Sequence, residues 1–130
     1  MNEIEITINK IAQDLIDINS GIRWFQAQDS SEKRKIIRTL NLFILQSHPR
    51  PDEIDAAVED SGLKKTFTPC VLIKKKPIKE ALFQIESLPE NEWVKAFTLG
   101  INIFCQSDSR RRETDCKNGC YHEWHRLADL

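Results

Sequence analysis

The chain has 130 residues, of which 40% are hydrophobic and 30% are charged. This length predicts one domain over residues 1–130, and the composition excludes collagen-like, low-complexity and wholly disordered chains. Nineteen Lys and Arg residues against twenty Asp and Glu residues give a net charge of -1. That balance argues against a strongly basic protein that coats nucleic acid.

The N-terminal segment carries no basic region followed by an apolar run, so it does not predict a secretory signal. The sequence also has no segment near the roughly 20 apolar residues that a transmembrane helix needs. We therefore expect a cytoplasmic protein without a membrane partner. In that compartment thiols stay reduced, which favours a metal-binding or reactive role for clustered cysteines.

The first predicted helix is marked by nonpolar residues at helical spacing: Ile8, Ile11, Leu15 and Ile18. Ile4, Ile6 and Ile8 alternate with polar residues, which is typical of a strand. A lone strand would have no partner here, so we expect the first helical turn at these positions. Ser20 is placed to cap a second, short helix, whose nonpolar residues are Ile22, Trp24 and Phe25.

A capping box, Asp29-Ser-Ser-Glu32, predicts the start of the third helix. The stripe behind it consists of Ile36, Leu40, Phe43, Ile44 and Ser47. The run His48-Pro-Arg-Pro51 ends this helix, because proline lacks the backbone N–H and restricts the residue before it. A fourth helix is predicted over 52–61, with Gly62 as the left-handed residue that ends it.

The second half of the chain predicts three further elements. Thr68 is expected to cap a short helix with Pro69 at its first position, although residues 70–73 fit a short buried strand almost as well. Pro77 begins the next helix, and 87–90 form a second capping box. The helix behind that box carries the best nonpolar stripe, namely Trp93, Phe97, Ile101 and Phe104. The predicted fold is all-α, with six or seven helices around one core.

Segment 116–125 is the most informative, because two cysteines and two histidines fall within ten residues. They are Cys116, Cys120, His122 and His125. Thiolate and neutral imidazole are the ligands that zinc prefers in tetrahedral structural sites. The Asn118-Gly119 turn can bring both sulfur atoms to one side, and histidines three residues apart share a helix face. The segment is therefore predicted to be a C-terminal zinc knuckle.

Two alternatives to this knuckle remain open. The segment is either metal-free, with Trp124 packed inward, or it holds a catalytic metal with an open coordination position. Its spacing differs from the H-E-x-x-H motif, the C-x-x-C redox pair and the haem attachment motif, so no catalytic residue is predicted. If one ligand fails to reach the metal, Asp115, His48 or Cys105 is the candidate replacement.

Two basic runs and one isolated cysteine have competing interpretations. The first run is Arg110, Arg111 and Arg112. It predicts either a solvated helix face, with Asp108 and Glu113 as partners, or an anion-binding site for phosphate or carboxylate. The second run, 64–79, contains six lysines and no acidic residue. Its Lys74-Lys-Lys76 segment, just before Pro77, predicts either favourable charges at a helix C-terminus or contact with phosphate. Cys70 fits a helix N-terminus that would lower its pKa, but its nonpolar neighbours favour a buried, unreactive thiol.

Three stretches of the sequence carry a resemblance. They are Ile11-Ala-Gln-Asp-Leu through Gly21-Ile-Arg-Trp24-Phe25, then Gly62-Leu63 with Thr66-Phe-Thr-Pro69, and the ending with Arg110-Arg-Arg112, Cys116, Gly119-Cys120, His122 and Trp124-His125. Together they resemble a family of small uncharacterised bacterial proteins, a domain of unknown function. The resemblance implies an all-helical fold and no established activity, and it lends no catalytic residue.

The leading prediction is a small cytoplasmic helical protein with a structural zinc site that binds an unidentified protein partner, as an interaction or regulatory module and not as an enzyme. The first alternative is a metal-dependent hydrolase of a phosphate-containing substrate. There His122, His125 and one cysteine would hold the metal, and Glu123 and the arginines would contact the substrate. The second alternative, nucleic-acid binding through the two basic runs, is less favoured.

Overall fold

The computed structural model describes residues 2–63 and 67–117, with side chains up to Arg112. Seven α-helices and one short 3-10 turn make up the secondary structure of these residues. The helices are α1 (Glu3–Ala12), α2 (Ile18–Gln26), α3 (Ser30–Ser47), α4 (Pro51–Asp60), α5 (Thr68–Lys75), α6 (Ile78–Ile85) and α7 (Trp93–Lys117). The predicted all-α class and the upper predicted helix number are confirmed for the described part of the chain.

Helix α7 is the central element, and α1, α2, α3, α4 and α5 all pack against it. All four residues of its predicted stripe are buried, and Phe97 stacks on Phe25 of α2 with ring centroids 4.6 Å apart. Burial extends beyond the stripe, because residues 99–104 are buried on every side of the helix. This segment is nonpolar except for Asn102, as expected for a helix inside a bundle. Helices α1 to α5 surround α7, and α6 packs against α3 and α5.

Helices α3 and α7 run in the same direction, since contacts advance together along both. Phe43 lies against Phe104 at a centroid distance of 5.5 Å, and the hydroxyls of Ser47 and Ser107 share a hydrogen bond of 2.6 Å. Gly100 permits the close approach, because a Cβ placed there would lie 2.9 Å from a methyl carbon of Leu40. Helix α3 ends as predicted at the Pro-Arg-Pro segment.

The end of the first helix differs from the prediction. Helix α1 includes the Ile4–Ile8 alternation, as expected, but it ends at Ala12. Asp14 then takes a left-handed conformation, with φ of 62°, which turns the chain away from the α1 axis. Leu15 is therefore 68% exposed and does not belong to the α1 stripe. The cap of α2 is Asp17 rather than Ser20, and Asp17 accepts a hydrogen bond from the Ser20 backbone N–H.

Other helix ends agree with the sequence to within about one residue, with one exception. Asp29 caps α3 by accepting from the Glu32 N–H at 2.8 Å, and Gly62, with φ of 70°, follows α4. Residues 70–73 are helical, so the strand alternative was wrong; α5 begins at Thr68 with Phe67 in the cap position. The predicted second capping box at 87–90 is also wrong, because Pro89 there leads into the 3-10 turn Glu90–Glu92.

Candidate functional sites

The predicted zinc ligands lie at and beyond the end of the described residues. Helix α7 extends to Lys117, so the backbone at Cys116 is helical, but the side chain of Cys116 and all of Cys120, His122 and His125 lie outside the description. The zinc knuckle, its metal-free alternative and its catalytic alternative therefore stay predictions. Among the residues that the structure does describe, no group of three or more His, Cys, Asp or Glu residues is arranged to hold a metal ion.

The two predicted replacement ligands that are described lie in different surroundings. His48 follows the last turn of α3 in a left-handed conformation, with φ of 49°. Cys105 lies on α7 with its sulfur 4.0 Å from the carbonyl oxygen of Ile11. Burial, together with smaller contributions from the carboxylates of Asp14 and Asp108, raises the pKa of the Cys105 thiol to about 12. The thiolate that a metal requires is therefore strongly disfavoured at Cys105.

Arg110 joins the ends of three helices. Its Nε donates to Glu53 Oε2 at 2.7 Å, and its Nη2 donates to the carbonyl oxygens of Ser47 and His48 at 3.2 and 3.0 Å. Glu53, which is only 8% exposed, also accepts from the Arg50 backbone N–H at 2.8 Å. One guanidinium thus satisfies the carbonyls at the end of α3 and pairs with a carboxylate in the first turn of α4.

The other two arginines contact helix ends in the same way. Arg111 donates to the Gln46 carbonyl oxygen at 2.7 Å, and Arg112 donates to that of Ala12 at 3.0 Å. Arg112 also pairs with Asp108 at 3.0 Å, which confirms that predicted partner; the Glu113 side chain is outside the description. Cations stabilise helix C-termini, where carbonyl groups lack intrahelical partners. Anion binding by the three arginines stays a prediction, and an external anion would compete with these contacts.

A polar cleft lies beside Arg110 and Arg112, with a volume of about 540 Å³. Its lining combines three arginines with four acidic residues, Asp14, Asp52, Glu53 and Asp60, and also includes Cys105. Several of these charges are already paired: Arg110 with Glu53, and Asp60 with the amide of Gln106 at 3.1 Å. The cleft is therefore in large part the water-exposed side of the contacts that hold α3, α4 and α7 together.

A second concave surface is nonpolar and lies between α3 and α6. We call it the α3–α6 groove; its volume is about 560 Å³, and its lining residues are Asn41, Leu42, Leu45, Pro77, Lys79, Glu80, Leu82, Phe83 and Glu86. Phe83 is 73% exposed and Leu42 is 53% exposed. The amide of Asn41 donates to the Leu82 carbonyl oxygen at 3.1 Å, so this buried polar side chain is satisfied and leaves the floor nonpolar in character.

The sequence carries a signal of this groove that lies outside the predicted nonpolar stripes. Leu42 and Leu45 lie outside the predicted stripe of α3, and Phe83 follows Leu82 outside the inward positions of α6. A helix whose nonpolar residues exceed one buried stripe has a second nonpolar face. Such a face requires either a neighbouring helix or a partner, and only the packing shows which of the two it has.

The remaining predicted features have structural explanations. Cys70 is fully buried, which confirms the predicted burial of its thiol, and burial raises its pKa, which favours the protonated form. In the lysine run, Lys74 pairs with Asp55 at 2.9 Å, whereas residues 64–66 are outside the description. Nucleic-acid binding through the basic runs stays a prediction. Within the described part of the chain, no helix is both long enough and nonpolar enough to cross a membrane.

Comparison with known proteins gives one result. The model of a family of unknown function, DUF5958, matches residues 3–127. The chain belongs to the DUF5958 family. This match covers all seven helices and the whole C-terminal cysteine and histidine segment, so the helical fold described above is the fold of a DUF5958 chain. No curated protein and no solved structure matches the sequence.

Proposed function

We propose that this DUF5958 protein is a protein-interaction module whose contact surface is the α3–α6 groove. The observation that carries the proposal is the exposure of Phe83, at 73%, next to Leu42, at 53%. Leaving a large nonpolar side chain in water forgoes roughly 1.5–3 kcal/mol of burial free energy. Contiguous nonpolar patches with a polar rim are typical of protein interaction sites.

The shape and chemistry of the groove favour an amphipathic helix as the bound element. Two helices form its walls, Leu82 lies at its floor, and Lys79, Glu80 and Glu86 supply a charged rim. A helix with nonpolar residues at positions i, i+3, i+4 and i+7 fills such a groove, and its polar flanks meet the rim. We further propose that the protein is cytosolic and that binding in the groove has a regulatory role.

Photo-cross-linking followed by binding measurements tests the proposal. A benzoylphenylalanine placed at position 83 in the cell should cross-link to a partner, whereas the same group at the similarly exposed Leu15 should not. With the purified partner, Phe83→Ser should weaken binding by about 2 kcal/mol, the scale of an interface hot spot, and Leu15→Ser should leave it unchanged. Equal binding by both variants would remove the groove as the contact surface.

We also propose that Cys116, Cys120, His122 and His125 hold one structural zinc ion. Support comes from the sequence, which concentrates four zinc-type ligands in ten residues. The length of α7, which reaches Lys117, also supports the proposal, because the backbone at Cys116 then belongs to a helix that packs in the core. Such a site contributes folding free energy to the segment that it closes.

Metal analysis and X-ray absorption at the zinc edge test this second proposal. We expect one zinc per chain, with two sulfur ligands at roughly 2.3 Å and two nitrogen ligands at roughly 2.0 Å. Three protein ligands and one oxygen ligand would favour the hydrolase alternative instead. Protein purified without chelators that contains no zinc would show the proposal to be wrong.

A further inference from the structure

The charged residues at the rim of the α3–α6 groove are arranged so that they can pair with the same residues of a second copy of the chain. Lys79, Phe83 and Glu86 follow one another at spacings of four and three residues, and Glu86, the C-cap of α6, keeps a helical backbone conformation, so the three lie along one face. All three line the groove. Lys79 therefore lies roughly 6 Å before Phe83 along the helix and Glu86 roughly 4.5 Å after it.

This order is complementary to itself when one copy of α6 is laid antiparallel to another. If a twofold axis passes close to Phe83, the lysine of each copy faces Glu86 of the other, and the two phenylalanine rings meet at the centre. In a twofold interface every such contact occurs twice. A parallel arrangement would instead place lysine against lysine and glutamate against glutamate.

Lys79 and Glu86 are available for such pairs, because neither has a close ion-pair partner among the described residues. Among the described residues, Lys79 forms no ion pair, whereas the neighbouring Glu80 is paired with Lys76 at 3.6 Å. Glu86 has only a long contact with Arg38, at 3.9 Å. Glu80, the acidic residue beside Lys79, is thus already paired with a lysine that precedes α6 in the chain.

We propose that the α3–α6 groove binds α6 of a second copy, which makes the protein a twofold symmetric dimer. The Phe83 side chains form the nonpolar centre, and two Lys79–Glu86 pairs set the antiparallel direction. This inference rests on the proposed function of the groove and names its occupant. Because the second copy covers the same surface that a partner helix would use, dimerisation competes with partner binding.

Sedimentation velocity over a range of concentrations tests the dimer with the purified full-length chain. The native protein should show a reversible monomer–dimer equilibrium, and Phe83→Ser should shift it to monomer while Leu15→Ser leaves it unchanged. A native protein that stays monomeric at the highest attainable concentration would overturn the dimer. That result would leave the proposed function intact, since a partner cross-linked at position 83 is a separate measurement.

Charge reversal tests the antiparallel geometry. Lys79→Glu and Glu86→Lys should each raise the dimer Kd by about tenfold, since two exposed pairs become repulsive in each dimer. An equimolar mixture of the two variants should dimerise as well as the native chain, because each mixed dimer has both pairs restored. The matched control is Glu80→Lys, which should not be rescued by mixing with Lys79→Glu. Absence of rescue in the first mixture would refute this arrangement, as would a dimer that Phe83→Ser leaves intact.

Discussion

Removal of the Arg110 guanidinium tests how the end of α3 is held to α4 and α7. In the variant Arg110→Met the side-chain stem remains, but Glu53 Oε2 loses its donor at 2.7 Å and the carbonyls of Ser47 and His48 lose theirs. The Glu53 side chain is 9% exposed and would keep only the Arg50 N–H. A buried carboxylate would thus lose its only ion-pair partner among the described residues.

The expected loss of unfolding free energy follows from the burial of the Arg110–Glu53 ion pair. Breaking a buried ion pair by removing one partner costs about 3–5 kcal/mol. The Arg110 side chain is 23% exposed, so water replaces part of the lost contact, and we expect a cost of about 2–3 kcal/mol. For a chain of this length that corresponds to a fall in Tm of roughly 8–12 °C.

Urea unfolding followed by circular dichroism measures this cost. Arg111→Met is the matched control, because that exposed side chain has a single contact with Gln46 O and should cost at most about 0.5 kcal/mol. In a double-mutant cycle, Glu53→Gln and Arg110→Met should show a coupling energy of about 2 kcal/mol. A cost for Arg110→Met below that of the control, or strict additivity of the pair, would refute the assignment.

Three further predictions concern a turn, a thiol and the metal. Gly62→Ala should lower the free energy of unfolding by about 1 kcal/mol in urea titrations, because φ is 70° there; an unchanged value would contradict this. The raised pKa of Cys105, about 12 against an ordinary 9.0, means that the unfolded chain loses its thiol proton first as pH rises. Stability should therefore fall from pH 9 to pH 12, and more steeply than in Cys105→Ala; parallel curves for the two proteins would exclude this thiol as a cause. Zinc removal by a chelator should lower the Tm of the native protein but not that of Cys116→Ser, and equal shifts in both would argue against a zinc ligand at that position.

The helices were predictable because their signals are local. Capping residues, prolines and Gly62 act within one turn of the chain, and the nonpolar stripe of α7 repeats at the helical period. The wrong predictions of helix starts occurred where neighbouring residues were about equally suited to cap the helix. Asp17 and Ser20 are both good caps, and Asp17 forms the cap, with Ser20 already inside α2. The second capping box failed since Pro89 favours a 3-10 turn at that place.

Local sequence patterns were enough to predict the all-α class, most helix boundaries to within about one residue, and a concentration of zinc-type ligands near the end of the chain. The pairing of Arg110 with Glu53, which lies 57 residues away, and the position of Phe83 and Leu42 at one groove emerge only from the packing of the helices. This difference arises because helix formation depends on neighbours within a few residues, whereas a surface depends on which faces the packed helices leave uncovered. Which faces stay uncovered depends on how all the helices pack together around α7.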